Sequence, residues 1–323
     1  MKRRAQLVRQ LRLFFDDQGF IEVDTPIAVP SLAPEPNIEA PQVQLQTPNQ
    51  TNTRYLQTSP ELNMKRLLAH GLPLIYQIAP AFRQNDFTNL HRPEFRLLEW
   101  YRYNDNLDAL MNDCESLLVT LNKIINDEPI LTYQGRKISL VPPFRRISVD
   151  DAFRQYAGFS ILEALETDIL AQHLRKLNIH FIVSESWDDL YNRVFISLIE
   201  PKLINTGEPF FLTQFPRPLA SLARLAPHDN RVAERFELYI GGIELANAFA
   251  ELVDADQQRK RFVHDREQRL KAGMHDYPPD EAFFTALATL PPSAGIALGL
   301  DRLLMLLLDA IDIDDIAFIP WGN

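Results

Sequence analysis

Cysteine is almost missing from this chain. The single one, Cys114, excludes an internal disulfide framework and suits a reducing, cytoplasmic setting. It lies in a helical pattern, where a small apolar core residue is expected. Long apolar runs are missing too. The longest, Leu303-Leu-Met-Leu-Leu-Leu308, is far shorter than the ~18 residues of a membrane span, so no membrane partner is expected. The start, Met1-Lys-Arg-Arg, is basic but leads into an amphipathic segment instead of the apolar centre of a signal peptide. Positive charge is in deficit. A net charge of −10 argues against a broad nucleic-acid surface and favours a small-molecule or protein substrate, while leaving room for a local basic patch. No Ser-His-Asp, Cys-His or CxxC pattern supplies a nucleophile, and no G-x-x-x-x-G-K-[ST] loop marks a P-loop enzyme.

What is present is a chain of 323 residues, 46% hydrophobic, enough for a substantial core in one large domain or two small ones. Leu7, Leu11, Phe14 and Phe15 recur at helical spacing over residues 4–18, and Gly19 fits as the stop. Phe20–Pro26 reads as a short strand. Residues 28–53 read as a long loop with one strand near Val43–Leu45, either a mobile lid or a surface excursion. Tyr55–Thr58 is a strand. Ser59 as N-cap with Pro60 at the first helical position opens a helix through Ala69. Strands follow at 73–83 and 94–103 around a polar loop, then a helix at 107–125 and a small hairpin turning at Gln134-Gly135. A mainly helical stretch at about 148–204 interrupts the strands and reads as an insertion into a single domain spanning 1–323. Phe210–Phe215 is a strand, and 216–230 a loop. Residues 255–272 form a charged, solvated helix. Gly295–Leu300 is a strand running into the helix 301–309, and Ile316–Pro320 a last strand. Strands that pair locally as antiparallel neighbours, with helices between and around them, indicate an α+β fold.

The most informative stretch is Phe236–Glu251. Gly241-Gly242 between two apolar runs predicts a two-residue hairpin, because both turn positions need positive φ. The turn pairs Ile240 with Ile243, Tyr239 with Glu244 and Glu237 with Ala246. Glu237 and Glu244 then share a face as diagonal neighbours. Two carboxylates that close repel unless a cation lies between them, and Mg²⁺ on nucleotide phosphates suits two carboxylates. Two exposed acids on a solvated hairpin is the alternative. Arg83 closes a strand beside the loop that holds His91, and Arg302 starts a helix after a strand ending in Gly299, where a flat group can approach the backbone. Both arginines are candidate phosphate clamps, because the guanidinium is a forked, permanently charged donor. Glu99 shares a face with Phe95, Leu97 and Tyr101, a costly place for a carboxylate unless it meets a cation. The residues alone thus lead to a Mg²⁺-nucleotide site beside an acidic pocket.

Three motifs then coincide in order. Gly19-Phe-Ile-Glu-Val-Asp-Thr-Pro26 resembles motif 1 of class II aminoacyl-tRNA synthetases. Phe82-Arg83 with Pro93-Glu-Phe-Arg-Leu-Leu-Glu-Trp-Tyr101 resembles motif 2, and Gly295-Ile-Ala-Leu-Gly-Leu-Asp-Arg302 resembles motif 3. Ser59-Pro-Glu61 and Gly242-Ile-Glu-Leu-Ala-Asn-Ala-Phe-Ala-Glu251 resemble the lysyl branch. With no room for an anticodon-binding barrel, and Ala297 where lysyl-tRNA synthetases have Gly, the chain is similar to the family of elongation factor P lysine ligases. The resemblance implies an antiparallel sheet flanked by helices. It also implies ATP-dependent activation of lysine or (R)-β-lysine and transfer to a lysine ε-amine of elongation factor P. Carried over by position, Arg83 and Arg302 hold the α- and γ-phosphates, and Glu237 and Glu244 hold Mg²⁺ and ATP. Asn85, His91 and Gly299 complete the nucleotide site. Ser59, Glu61, Glu99, Tyr101, Asn247, Glu251 and Ala297 line the amino-acid pocket. A homodimer through motif 1 is implied, and tRNA is not an expected partner.

The resemblance also requires a bulge or bend near Asn247, since on an unbroken strand Glu251 faces away from Glu244. The chain departs from the family at four places. Gln84-Asn85-Asp86 replaces Asn-Glu after Arg83, leaving Asp86 as a substitute only if the loop shifts. Arg92 replaces Asn before Pro93, Ala248 replaces Gly, and Ala250 replaces His or Ser. A β-carbon at 248 is expected to narrow the pocket or alter the strand bend. A free-standing amino-acid-activating enzyme with another acceptor (a carrier protein, small amine or tRNA) and a non-catalytic nucleotide-binding paralogue stay open as alternatives.

Overall fold

The computed structural model describes residues 1–46 and 48–322. Helix α1 (Lys2–Asp17) buries Leu7, Leu11, Phe14 and Phe15, the stripe its spacing predicts. The following segment contributes only the two-residue strand β1 (Ile21–Glu22). Residues 28–56 are not one long loop. They form a three-stranded sheet of β2 (Ala28–Val29), β3 (Gln42–Gln46) and β4 (Thr51–Leu56), in the order β2-β4-β3. The strand expected near Val43–Leu45 is β3, whereas two-residue β2 and the mostly polar start of β4 print no apolar alternation and are not expected from the sequence.

Helix α2 (Glu61–Ala69) begins where Ser59 Oγ accepts the Glu61 N–H at 3.0 Å. Strands β5 (Leu74–Phe82) and β6 (Glu94–Tyr103) flank the polar loop, and helix α3 (Leu107–Asn122) is capped by Asn106. The hairpin of β7 (Ile130–Tyr133) and β8 (Arg136–Ser139) turns at Gln134-Gly135 as expected. After β9 (Arg145–Ser148) come helices α4 (Val149–Tyr156), α5 (Thr167–Lys176), α6 (Trp187–Val194) and α7 (Glu200–Leu203). These helices enclose their own apolar cluster, with Phe153, Leu170, Leu190 and Val194 packed on Leu212 of β10 (Phe210–Pro216).

The chain continues through β11 (Leu225–Ala226), β12 (Asp229–Ile240) and β13 (Ile243–Ala250) to α8 (Ala255–Lys271) and α9 (Glu281–Leu287). It ends with β14 (Ser293–Gly299) and α10 (Leu300–Leu307). Helix α8 is not only a solvated face, for Arg269 is fully buried. The tail Ile316–Pro320 is not a strand. A short 3₁₀ turn, Ile313–Ile316, precedes irregular chain.

Among the described residues, nine strands form one sheet, ordered β1-β5-β6-β14-β13-β12-β10-β9, with β11 on β12. From β5 to β10 every neighbour is antiparallel. The outer pairs β1–β5 and β9–β10 are parallel. Parallel neighbours need a long crossover, and the helices between β9 and β10 supply one. Helices α1, α3 and α10 cover one face and form the largest core with Trp100, Phe236 and Leu298. The other face is left partly open, flanked by α2 and α9, whose Met64, Leu68, Phe283 and Leu287 pack together.

Candidate active site

The site begins with a register irregularity. Gly241 and Gly242 both adopt positive φ, and Ile240–Ile243 and Tyr239–Glu244 pair as predicted. The pairing then shifts: Leu238 meets Ala246, and Glu237 meets Asn247 instead of Ala246. Leu245 is the extra residue of a β-bulge. One added residue reverses the faces beyond it. Glu244 before the bulge and Asn247, Phe249 and Glu251 after it therefore all line one cleft. The bend that the family resemblance demanded is this bulge. It leaves Ala248 on the opposite face, buried against Phe236 and Ile296 in the main core, so its β-carbon does not narrow the pocket.

The cleft measures about 330 Å³. A rung of paired positions runs across the sheet from Glu237 through Asn247, Ala297 and Glu99 to Gln77, and its middle three line the cleft. At one end, Arg83 and Arg302 enter it from the ends of β5 and β14. Arg302 donates to the Glu244 carbonyl at 2.8 Å and to His91 Nε2. Arginine only donates, so Nε2 accepts and Nδ1 carries the proton it gives to Thr88 Oγ1 at 2.7 Å. Burial, then the Arg302 charge, pushes His91 down and keeps it neutral. Burial also lowers Arg302, the Glu244 carboxylate opposes this, and Arg83 adds to it, a sign that both guanidiniums face one volume. Arg83 stacks over Phe95 at 5.2 Å, and its Nε is buried without a hydrogen-bond partner.

Two nucleotide-site expectations are corrected here. Asn85 takes a left-handed turn (φ +68°) and does not line the cleft. Asp86 lines it instead, and its charge acts on both His91 and Arg302. The turn at Asn85 shifts the acid by one position, which sequence spacing alone does not show. Glu237 also stays off the cleft surface. Arg235 donates to it at 2.5 Å and Tyr239 at 2.8 Å. Glu244 does reach the cleft; its side chain is exposed at the surface, yet the surrounding cleft walls and the charge of neighbouring Glu237 push it up to about 7.

At the other end are the acids of the amino-acid pocket. Glu99 is fully buried; Ser59 donates to it at 2.7 Å and Tyr101 at 3.1 Å. Burial and the charge of Glu61 lift it to about 8 against those two hydrogen bonds. Glu251 is equally buried, and its Oε1 has no hydrogen-bond partner. Sequence reasoning missed Lys65, whose Nζ lies 2.5 Å from Glu61 and 2.6 Å from Glu251. The two carboxylates raise its pKa in spite of burial, so Lys65 is charged. The i,i+4 spacing from Glu61 was visible; burial against a residue 186 positions later was not. Arg235 was missed as well. It donates to Asn247 Oδ1 at 3.0 Å and so fixes that amide with its NH₂ group free for a ligand. Arg92, the unexpected residue before Pro93, ties the loop to Asp312 and Asp314, each at 2.7 Å.

A cleft with two guanidiniums at one end and a buried acid cluster at the other matches a family model. The model for class II tRNA synthetases (D, K and N) matches residues 1–322. The chain belongs to the class II tRNA synthetase family. Three curated relatives share its whole length. An elongation factor P–(R)-β-lysine ligase of Haemophilus influenzae strain PittGG is 37% identical over 99% of this chain and 94% of its own. The ligase of the same name from Proteus mirabilis strain HI4320 is 38% identical over 98% and 94%. That of Yersinia enterocolitica is 37% identical over 99% and 94%. Of the three motif-like stretches, Gly19–Pro26 holds β1, Phe82-Arg83 and Pro93–Tyr101 lie at the end of β5 and on β6, and Gly295–Arg302 runs from β14 into α10.

Proposed function

We propose that this chain activates lysine or (R)-β-lysine with ATP and transfers the acyl group to a lysine ε-amine of elongation factor P. The observation that carries this reading is the gathering of Glu61, Glu99 and Glu251 at the blind end of the cleft that Arg83 and Arg302 enter. A diamino acid brings two ammonium groups. Each needs an anionic or neutral acceptor once it leaves water. Glu251 Oε1 is available for that role, while the Asn247 NH₂ group can donate to a substrate oxygen. Gly299, Ala297 and Ser59 complete the lining between the two ends. The names of the relatives supply the acceptor.

In this mechanism the substrate carboxylate attacks the α-phosphorus of ATP in line, and pyrophosphate leaves. Arg83 neutralises charge developing on the α-phosphoryl oxygens, and Arg302, oriented by His91, holds the γ-phosphate. The acceptor amine then attacks the acyl carbon, and AMP leaves. Mg²⁺ would be held by Glu244, which lines the cleft and whose pKa is raised first by desolvation and then by the Glu237 charge; Glu237 itself is engaged by Arg235 and Tyr239. Among the described residues no group of three or more metal-ligating side chains gathers. When bound, Mg²⁺ adds charge neutralisation on the phosphates.

The helical stretch at 148–204 is proposed as an insertion into one catalytic domain. A homodimer through motif 1 is proposed as well, supported by the exposed Leu13 and Ile21 on α1 and β1; a monomer by light scattering would remove it. Among the described residues, no helix is long and apolar enough to cross a membrane. The deciding experiment is ATP–pyrophosphate exchange with a panel that includes lysine and both β-lysine enantiomers, followed by mass analysis of elongation factor P. Exchange with lysine or β-lysine and a matching mass gain are expected. Exchange with neither amino acid overturns the reading.

A further inference from the structure

One acid in the cleft has no role in the assignment above. Glu35 lies on the connection between β2 and β3, and its half-buried carboxylate lines the cleft with Arg83, Glu61 and Arg235. Nothing hydrogen-bonds to that carboxylate among the described residues, and only longer-range charges act on it. Its backbone, in contrast, is pinned. Buried Arg269 of α8 donates at 2.6 Å to the Glu35 carbonyl and at 2.6 Å to the Ile38 carbonyl. Arg269 also reaches Glu39 at 3.1 Å, and Tyr277 accepts the Ala40 N–H at 2.9 Å. The connection is therefore a fixed wall of the site, and the carboxylate it presents is unsatisfied by design of the surrounding chain.

The position of that carboxylate is informative. The charges that act on it most strongly are Arg83, then Glu61, then Arg269 and Arg235. It lines the same cleft as Arg83 of the phosphate clamp and Glu61 of the amino-acid pocket, and an adenylate bridging those two subsites would carry its acyl carbon between them. The charges of Glu35 and of Asp188 on α6 both act on Asp265 of α8, opposed by neighbouring His264.

An acceptor lysine arrives as an ammonium ion, which has no lone pair for attack. Resting on the ligase reading above, we propose that Glu35 is the proton acceptor for the incoming amine in the transfer step. One N–H proton passes to the Glu35 carboxylate. The freed lone pair forms the N–C bond at the acyl carbon, and the C–O bond to phosphate breaks with its electrons leaving on AMP. The second N–H proton of the adduct goes to water at the cleft mouth. Burial raises Glu35 above the ordinary carboxylate range, against the pull of Arg83, which makes it a stronger base than a surface glutamate.

The test compares the two half-reactions in the full-length protein. Adenylate formation is read by pyrophosphate exchange, and transfer by single-turnover acylation of elongation factor P. In Glu35→Gln, transfer falls about 100-fold further than adenylate formation on the same preparation. Glu35→Asp recovers part of the difference. Hydroxylamine, whose nitrogen is already unprotonated near neutral pH, discharges the adenylate of Glu35→Gln as well as that of the parent. The transfer rate of the parent rises with pH as Glu35 loses its proton, and Glu35→Gln lacks that rise. If both half-reactions fall in equal proportion, or neither falls, Glu35 is not the base. Absence of exchange in the parent chain with every diamino acid would instead overturn the ligase reading itself.

Discussion

Gly295 and Gly299 lie four residues apart on β14 and line the same cleft, yet a methyl group at each has opposite consequences. A Cβ at Gly295 would lie 2.2 Å from Tyr101 Cε1, 2.4 Å from Tyr101 Cδ1 and 2.4 Å from Glu251 Oε1. Its φ is not left-handed, so the requirement is for space, not for backbone freedom. Relief to a contact of 3.4 Å needs the Tyr101 ring to retreat by about 1.2 Å. The ring is buried and its hydroxyl is bonded to Glu99, so the retreat also moves that carboxylate's donor. Overpacking of this kind costs roughly 1–3 kcal/mol, and a 1 Å displacement of positioning groups costs on the order of 100-fold in rate. Gly295→Ala is therefore expected to stay folded with a lowered Tm and to lose about 100-fold in kcat/KM for the amino acid in pyrophosphate exchange. At Gly299 the added Cβ meets only the Arg302 side chain, at 3.5 Å or more, an ordinary contact. Gly299→Ala should melt with the parent. Parental melting and parental amino-acid kinetics in Gly295→Ala would refute the reasoning, because they would mean that Tyr101 and Glu251 are not held where the cleft requires them.

Three further outcomes follow from the charges. Lys65→Met strips two buried carboxylates of their shared cation and should lower unfolding stability by about 3–5 kcal/mol in denaturant titrations, with Lys65→Met/Glu251→Gln recovering much of the loss. Glu99 has its pKa raised to about 8, first by burial and then by Glu61, so the native state holds a proton that the unfolded chain releases near pH 4.5. Its ionisation therefore removes stability as pH rises from about 4.5 to about 8. Glu99→Gln should show a shallower decline than the parent across that window in urea melts; parallel curves would count against a buried, protonated Glu99. Asp314 has its pKa lowered, chiefly by the hydrogen bonds from Arg92, so its contribution is present at neutral pH and lost as pH falls through its native pKa. Arg92→Ala should cost roughly 1–2 kcal/mol at pH 7, discounted because both aspartates are partly open to solvent, and less in acid.

Much of the architecture was readable because local chemistry decides it. The α1 stripe, the Ser59-Pro60 helix start, the β5–β6 pair and the Gly241-Gly242 turn depend on neighbours in sequence, so spacing and φ preference suffice. In the small sheet, β3 was legible near Val43–Leu45 and the end of β4 at Tyr55, but β2 and the start of β4 escaped because they carry no apolar period. The tail misled in the other direction: Ile316-Ala-Phe-Ile reads as a strand, yet among the described residues it pairs with none.

The sequence by itself determined which acids and arginines exist, and the order of three motifs that together point to one family. Only the tertiary structure decided which of them share a volume. The Leu245 bulge turns Glu251 towards Glu244, the Asn85 turn puts Asp86 in the cleft, Arg235 draws Glu237 out of it, and Lys65 closes on Glu61 and Glu251. A single inserted residue or a buried counter-ion changes the direction of a side chain without altering hydrophobic period, which is why such choices are settled by long-range packing and charge rather than by local pattern.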